Sequence, residues 1–242
     1  MAFSSPNFAN REVADLVLLD YVTKKPYLNC DFANATATYF TASRVFAKGG
    51  QHAPNRVQFD GERAGTLKIT TQIMPVKLFA MLSGSDITKS AKLLKREVLA
   101  YAATGIALTE TPVAGSVQVF AANDDCGTEL ETTVTDKLVT GTGITTGNSY
   151  IVYYYTLSTA VQTVSFTSKS FPKAFEIRGS LPMKNEADEI CQCNLIYYKA
   201  APQASFSMAF SNTGDPASVD ITFDCMADAN GDVYDMVFVD NQ

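Results

Sequence analysis

The C-terminal part of the chain alternates strictly between apolar and polar residues. Val219, Ile221 and Phe223 fall on one face of an extended chain, and the residues between them fall on the other. Two turn signals flank this run, Gly214-Asp215-Pro216 before it and Asn230-Gly231 after it. Asn-Gly strongly indicates a hairpin because both central residues of a type I′ turn need a positive φ. We therefore predict a strand here, followed by a hairpin tipped by Asn230-Gly231.

The composition favours a large β protein. The 242 residues include 15 Phe and 11 Tyr, and aromatic residues suit the half-buried faces of sheets. The length allows one large β domain or two small ones. The net charge of −6 argues against a protein that holds nucleic acid through clustered Lys and Arg. It is compatible with a surface that DNA passes without sticking.

Few residues in the sequence are suited to catalysis. The single histidine, His52, lies in a predicted loop from Lys48 to Asn55 that contains two glycines and a proline. Histidine serves most general acid–base catalysis and many metal sites, so we expect no enzyme activity and no cofactor. The stretch 228–232 is acidic like a calcium loop, but its glycine falls at the fourth place instead of the sixth. The hairpin interpretation is therefore preferred there.

The five cysteines are odd in number and widely scattered. No apolar segment follows a basic start, so we expect no secretory signal and reduced thiols. Cys191 and Cys193 lie two residues apart and share one face of a strand. A C-x-C pair without a second ligand pair is weak support for zinc. We expect buried structural thiols and no metal site.

The first third of the chain contains several extended segments. Residues 1–11 are small and polar and predict a flexible N-terminal arm. Residues 13–21 favour a strand followed by a turn. The pair Asp60-Gly61 predicts a hairpin turn, with strands at 57–59 and 67–73 on either side of it.

A helix is predicted next. Pro75 is suited to the first helical turn, apolar residues recur at helical spacing after it, and Ser83-Gly84 ends the segment. Residues 86–103 suit either a helix or a strand, and we predict a short helix followed by a strand. The basic stretch 89–96 has two interpretations, a solvated face or a contact with an acidic partner.

The segment 106–169 differs in composition from its surroundings. It is rich in Thr, Val and Gly and contains few basic residues. Strands are predicted at Ser116–Ala121, Ser149–Leu157 and Val161–Thr167. We therefore expect a compact β-rich insertion.

Two blocks of the sequence resemble bacteriophage major tail proteins, also called tail tube proteins. The run 57–73 (VQFDGERAGTLKITTQI), with 47–50 (AKGG) before it and 75–84 (PVKLFAMLSG) after it, is similar to a strand–turn–strand–helix block of that family. The stretch 214–232 is similar to its C-terminal strands, where a Gly-Asp-Pro turn precedes a long strand and a hairpin. Residues 12–105 and 170–242 thus form a tail-tube-like β domain, from which the insertion departs.

The resemblance implies a β-sandwich or barrel with one short α-helix. It further implies hexameric rings that stack into a tube, whose channel the viral DNA crosses during ejection without specific binding. The expected partners are other copies of the chain and other tail proteins, such as a tape measure protein, a baseplate and a sheath, and no membrane is involved. The expected location is the virion tail, after assembly in the host cytoplasm.

If the chain is a tube subunit, the positions of its charged residues in the tube can be predicted. Acidic residues should dominate the lumen because carboxylates repel phosphates, and basic clusters should face neighbouring subunits. The candidate lumen residues are Glu62, Asp220 and Asp224, and the candidate inter-subunit residues are Lys89, Lys92, Lys95 and Arg96. The expected structural turn residues are Gly61, Gly214, Pro216, Asn230 and Gly231.

Two alternatives to a tube subunit remain. One is another virion β-module, either a capsid decoration protein or a receptor-facing domain, in which the insertion would be the working part. The other is an enzyme, which the single histidine disfavours.

Overall fold

The computed structural model describes residues 7–208, 214 and 216–239. The fold is mainly β, with 54% strand and one short helix, as the sequence predicts. In chain order the strands are β1 (Phe8–Ala9), β2 (Asp15–Asp20), β3 (Pro26–Cys30), β4 (Ala33–Lys48), β5 (Asn55–Thr71), β6 (Ala91–Ala100), β7 (Ile106–Ala107), β8 (Gln118–Ala121), β9 (Thr132–Thr135), β10 (Leu138–Gly141), β11 (Ser149–Ser158), β12 (Phe175–Asn185), β13 (Ile190–Pro202), β14 (Val219–Met226) and β15 (Tyr234–Val239), and the helix α1 spans Val76–Ser83. The sheets formed by these residues are antiparallel, and none of them closes into a barrel.

The chain divides into two compact units. Residues 1–86 and 164–242 form the main unit, and residues 87–163 form the second unit. The insertion expected over 106–169 overlaps the second unit, which begins earlier and includes β6. Of the expected N-terminal arm, residues 1–6 lie outside the described residues, and β1 pairs with β12.

The main unit contains one large sheet with the order β3-β2-β12-β13-β14-β5-β4. The alternation seen in the sequence sets its buried face: Val219, Ile221 and Phe223 are buried and the residues between them are not. Cys191 and Cys193 are both buried on β13, as the two-residue spacing predicts. The core also includes buried residues of β2 and β5, among them Leu16, Leu18, Leu67 and Ile69.

The predicted turn at Asn230-Gly231 is present, but the strands on either side of it do not pair with each other as a hairpin. Both β14 and β15 pair with β13, whose Pro202 faces Phe223 of β14 and whose Tyr197 faces Tyr234 of β15. The two strands therefore lie one after the other along the same edge of β13, and residues 227–233 form an excursion between them. The strands flanking a hairpin turn would pair with each other, whereas here the longer strand β13 is the partner of both.

The carboxylate of Asp228 organises this excursion. The backbone N–H groups of Asn230 and Asp232 donate to its Oδ1 at 2.8 and 3.0 Å. Gly231 has a φ of 91°, as expected, but Asn230 is not in the left-handed region that a type I′ turn requires. Two backbone bonds also close the turn: the Asp228 N–H donates to the Asp232 carbonyl at 2.9 Å, and the Gly231 N–H donates to the Asp228 carbonyl at 3.3 Å. A tight turn therefore forms with support from the Asp228 side chain, but without type I′ geometry.

The helix prediction is confirmed, with Pro75 one position before the first helical turn instead of inside it. Pro75 is the N-cap, and Gly84 ends the helix in the left-handed region with a φ of 67°. Its backbone N–H donates to the carbonyl of Met81 at 3.3 Å. A Cβ at position 84 would lie 2.1 Å from the carbonyl oxygen of Phe171, so both the backbone angle and the packing require glycine. The buried residues of α1, including Leu78 and Leu82, join the main core.

The predicted turn at Asp60-Gly61 is wrong. Both residues lie inside β5, a strand of 17 residues that pairs with β4 along its length. Ala42 faces Arg63 and Arg44 faces Asp60, so β5 contains one extra residue there, which is a β-bulge. The chain reverses instead in the loop between β4 and β5, where Gly50 has a φ of 89°. That loop agrees with the prediction for 48–55.

The second unit has its own sheets and core. Its sheets have the orders β6-β11-β8 and β7-β10-β9, and its core includes Ile106, Val119 and Tyr154. The helix expected early in 86–103 is absent, because β6 pairs with β11 along its whole length. The strand expected over 161–167 is reduced to one bridge between Thr163 and Thr88.

Candidate assembly surfaces

The distal parts of β4 and β5 extend beyond the rest of the sheet as a two-stranded segment. We call residues 39–48 and 55–64 the ribbon. Every ribbon residue is exposed, whereas the following part of β5 alternates between buried and half-buried residues. A two-stranded hairpin alone is at best marginally stable in water. The ribbon would therefore gain stability from an additional partner.

One face of the ribbon is apolar. Val45 lies opposite Phe59, and Ala47 lies opposite Val57, so the four side chains share a face. Val45, Val57 and Phe59 are 67%, 51% and 58% exposed. We call these four residues the apolar patch. Exposed apolar side chains that are contiguous, in contrast to scattered ones, are typical of interaction surfaces.

The opposite face of the ribbon carries charge. Arg44 contacts Asp60 at 3.1 Å (Nε to Oδ1), and the side-chain amide of Gln58 donates to Asp60 at 2.8 Å. The ribbon contains four basic and two acidic side chains, which give it a net charge of +2. Since the net charge of the whole chain is −6, the residues outside the ribbon carry a net charge of −8. A basic ribbon on an acidic chain favours contacts between copies, since the two charges attract.

Several strand edges in the described part of the main unit have no strand partner. The outer edges of β3 and β4 end the sheet, and β15 pairs on one side only. Before Gly65, at residues 55–64, β5 has β4 as its single strand partner. Open edges present rows of backbone donors and acceptors that another chain can pair with.

The buried face of the large sheet contains a groove near the base of the ribbon. Its volume is about 280 Å³. We call it the core-face groove. Its apolar and aromatic lining includes Leu67, Leu181, Leu195, Tyr197, Tyr234 and Met236, and four polar residues, Asn10, Glu12, Thr36 and Thr38, also line it. Leu181, Tyr234 and Met236 are incompletely buried and form its mouth.

The hydroxyl groups of Tyr197 and Thr38 in the wall of the groove are paired with each other. They are 2.5 Å apart, and the rings of Tyr197 and Tyr234 pack with centroids 4.7 Å apart. Burial raises the pKa of both tyrosines, so they stay neutral. This part of the groove is thus suited to an apolar occupant.

Two of the three candidate lumen residues share one face. Asp220 and Asp224 lie on the exposed face of β14, whereas Glu62 lies apart from them, in the bulged part of the ribbon. Asp220 accepts from Lys68 at 2.7 Å and from Thr70 at 2.6 Å, and these contacts lower its pKa. The position of these residues relative to a lumen stays a prediction.

The four candidate inter-subunit residues all lie in the second unit. Lys95 contacts Glu110 at 2.7 Å, and Arg96 contacts Asp125 at 2.8 Å. These two cations therefore already have acidic partners within the chain. Lys89 and Lys92 are exposed and make no ion pair within the described residues. They are the better candidates for an intermolecular contact.

Of the Gly214-Asp215-Pro216 turn, Asp215 lies outside the described residues. Gly214 has a φ of 92°, and the carbonyl of Pro216 accepts from the side chain of Gln72 at 3.3 Å. His52 is exposed in the loop between β4 and β5, where the sequence predicts a loop. No group of three potential metal ligands occurs in the described part of the chain.

The sequence analysis missed the ribbon and the groove. In the sequence, the ribbon corresponds to two extended runs on either side of the 48–55 loop. The apolar residues in these runs gave no sign that both faces of the ribbon are exposed. The groove is formed by residues far apart in the chain, such as Leu67 and Met236. No local pattern marks it.

Residues 10–236 match the family model described as the YomU/Tube protein family. The chain therefore belongs to this family, and the resemblance to bacteriophage tail tube proteins is confirmed. The matched range includes the whole second unit. A comparison with curated proteins finds no match.

Membership of the family implies a non-enzymatic structural protein of the virion tail. In the described residues, no helix is long and apolar enough to cross a membrane.

Proposed function

We propose that this tail tube family member assembles into rings of six copies that stack into a hollow tube, through which viral DNA passes. Within this proposal the chain works by binding itself, and its further partners are other tail proteins such as a tape measure protein, a baseplate and a sheath. Assembly takes place in the host cytoplasm. Family membership supports the tube, and the exposed surfaces of the main unit support self-assembly.

The observation that carries the proposal is the ribbon. Full burial of a Val or Phe side chain is worth about 1.5–3 kcal/mol. Because Val45, Val57 and Phe59 are more than half exposed, covering all three would contribute on the order of 3–4 kcal/mol per copy. Repeated at each junction of an assembly, this contribution is sufficient to bias the chain towards association.

Charge supports passage of DNA without retention. The chain outside the ribbon carries −8, and a net acidic wall repels phosphates. We infer that the exposed face of β14 with Asp220 and Asp224 contributes to this wall. Lys68 offsets part of that charge through its contact with Asp220, so Asp224 is the stronger candidate.

A second candidate function is a surface module that contacts a receptor, located in the second unit. One face of the sheet β6-β11-β8 carries Leu94, Val98 and Leu157, which are 60%, 55% and 65% exposed. Lys92 and Arg96 lie on the same face. The face belongs to a unit with its own core. It is compatible with an additional binding role on a tube subunit.

Negative-stain microscopy of the purified protein tests the tube. We expect rings or tubes from the unmodified chain, and their loss in a Val45→Ser/Phe59→Ser variant whose circular dichroism is unchanged. The matched control is Leu94→Ser/Leu157→Ser, which removes equally exposed apolar side chains from the second unit. Monomers alone at every concentration, with no assembly on a virion, would refute the proposed function.

A further inference from the structure

We propose that the apolar patch of one copy occupies the core-face groove of a neighbouring copy. This inference rests on the proposed function and adds the two surfaces that meet. Both surfaces belong to the main unit, so every copy has one patch to donate and one groove to accept it. The occupant in this proposal is a second copy of the chain.

The size of the groove and the apolar part of its lining match the patch. An apolar cavity of about 150 Å³ holds a benzene molecule, so the 280 Å³ of the groove accommodates the phenyl ring of Phe59. Leu181, Leu195 and Met236 offer an apolar wall. The Tyr197 hydroxyl already has a partner in Thr38, so an apolar occupant strands no buried polar group there.

Charge at the margins favours the same contact. Glu12 lines the groove, is exposed, and makes no ion pair among the described residues. The ribbon brings a net charge of +2 to a chain that otherwise carries −8. Opposite charges around an apolar centre steer association and set its orientation.

The patch cannot occupy the groove of its own chain. Thr38 and Leu67, at the base of the same two strands, line that groove. A strand rises about 3.3 Å per residue, so Val45 lies roughly 23 Å along β4 from Thr38. The ribbon would have to fold back on itself and break its pairing to reach that far. The groove of a neighbouring copy requires no such change.

A contact between two different surfaces has a direct consequence for assembly. Patch and groove form a heterologous, head-to-tail interface, which leaves one free patch and one free groove at the ends of any open assembly. Such an interface either closes into a ring or continues as a filament. A self-complementary contact would stop at a dimer.

Cysteine cross-linking tests the contact directly. The background is Cys126→Ser, because Cys126 is the exposed native thiol and the other four cysteines are buried. Ala47→Cys places a thiol in the patch and Met236→Cys places one at the mouth of the groove. Under mild oxidation we expect the double variant to give a ladder of reducible oligomers on a gel. Mixing the two single variants should give reducible dimers, which neither single variant gives alone.

The matched control moves the ribbon thiol to the opposite face. Phe46→Cys with Met236→Cys should give no ladder, since Phe46 faces away from the patch. Tubes that form normally without any patch-specific cross-link would overturn this inference and leave the proposed function standing. An equal ladder from the Phe46 control would also overturn it. Failure of the unmodified chain to assemble would refute the proposed function instead.

Discussion

Replacing Gly84 by alanine should destabilise the main unit strongly. An L-residue in the left-handed region costs about 1–2 kcal/mol, and Gly84 has a φ of 67°. The added Cβ would also lie 2.1 Å from the carbonyl oxygen of Phe171 and 2.4 Å from its carbon. Relieving such a clash requires a backbone shift, which costs about 1–3 kcal/mol. We expect a total loss of roughly 2–5 kcal/mol.

Urea unfolding followed by circular dichroism measures this loss. Gly231→Ala is the matched control, since Gly231 has a φ of 91° and nothing within 4 Å of a built Cβ. The control should show the backbone cost alone. The difference between the two variants therefore isolates the contact with Phe171. If the two free energies of unfolding agreed within about 0.5 kcal/mol, the argument from close packing at the end of α1 would be wrong.

Three further predictions concern charge and packing. Glu176 is buried, which alone would raise its pKa, but Lys24 and Arg178 donate to it at 2.7 Å and lower the pKa overall. Glu176→Gln should therefore destabilise the protein near pH 7. The difference in melting temperature from wild type should vanish in acid, as the pH falls through the lowered pKa of Glu176. A difference in melting temperature that stays constant with pH would contradict this. Phe223→Ala should cost about 3–5 kcal/mol in urea unfolding, because Phe223 is fully buried. Asp224→Lys should make assembled tubes retain DNA in a co-sedimentation assay at low salt, and unchanged retention would exclude Asp224 from the lumen.

Local patterns in the sequence predicted the elements whose stability depends on near neighbours. The ends of α1 follow from Pro75 and Gly84, whose backbone preferences act within one turn of the helix. The buried face of β14 follows from strict alternation, and the loop between β4 and β5 follows from its glycines and proline. Family membership was likewise predicted from ordered blocks of such patterns.

Strand partners and exposure were decided by the tertiary structure. Asn230-Gly231 has the sequence of a hairpin turn, yet β13 is long enough to pair with both flanking strands. Gly61 lies in a bulge because β4 continues alongside it. The patch and the groove likewise depend on which distant residues come together. The backbone conformation at a turn or helix end depends on short-range interactions among a few neighbouring residues. Strand pairing and burial depend on long-range interactions, because every segment of the chain competes for the same partners.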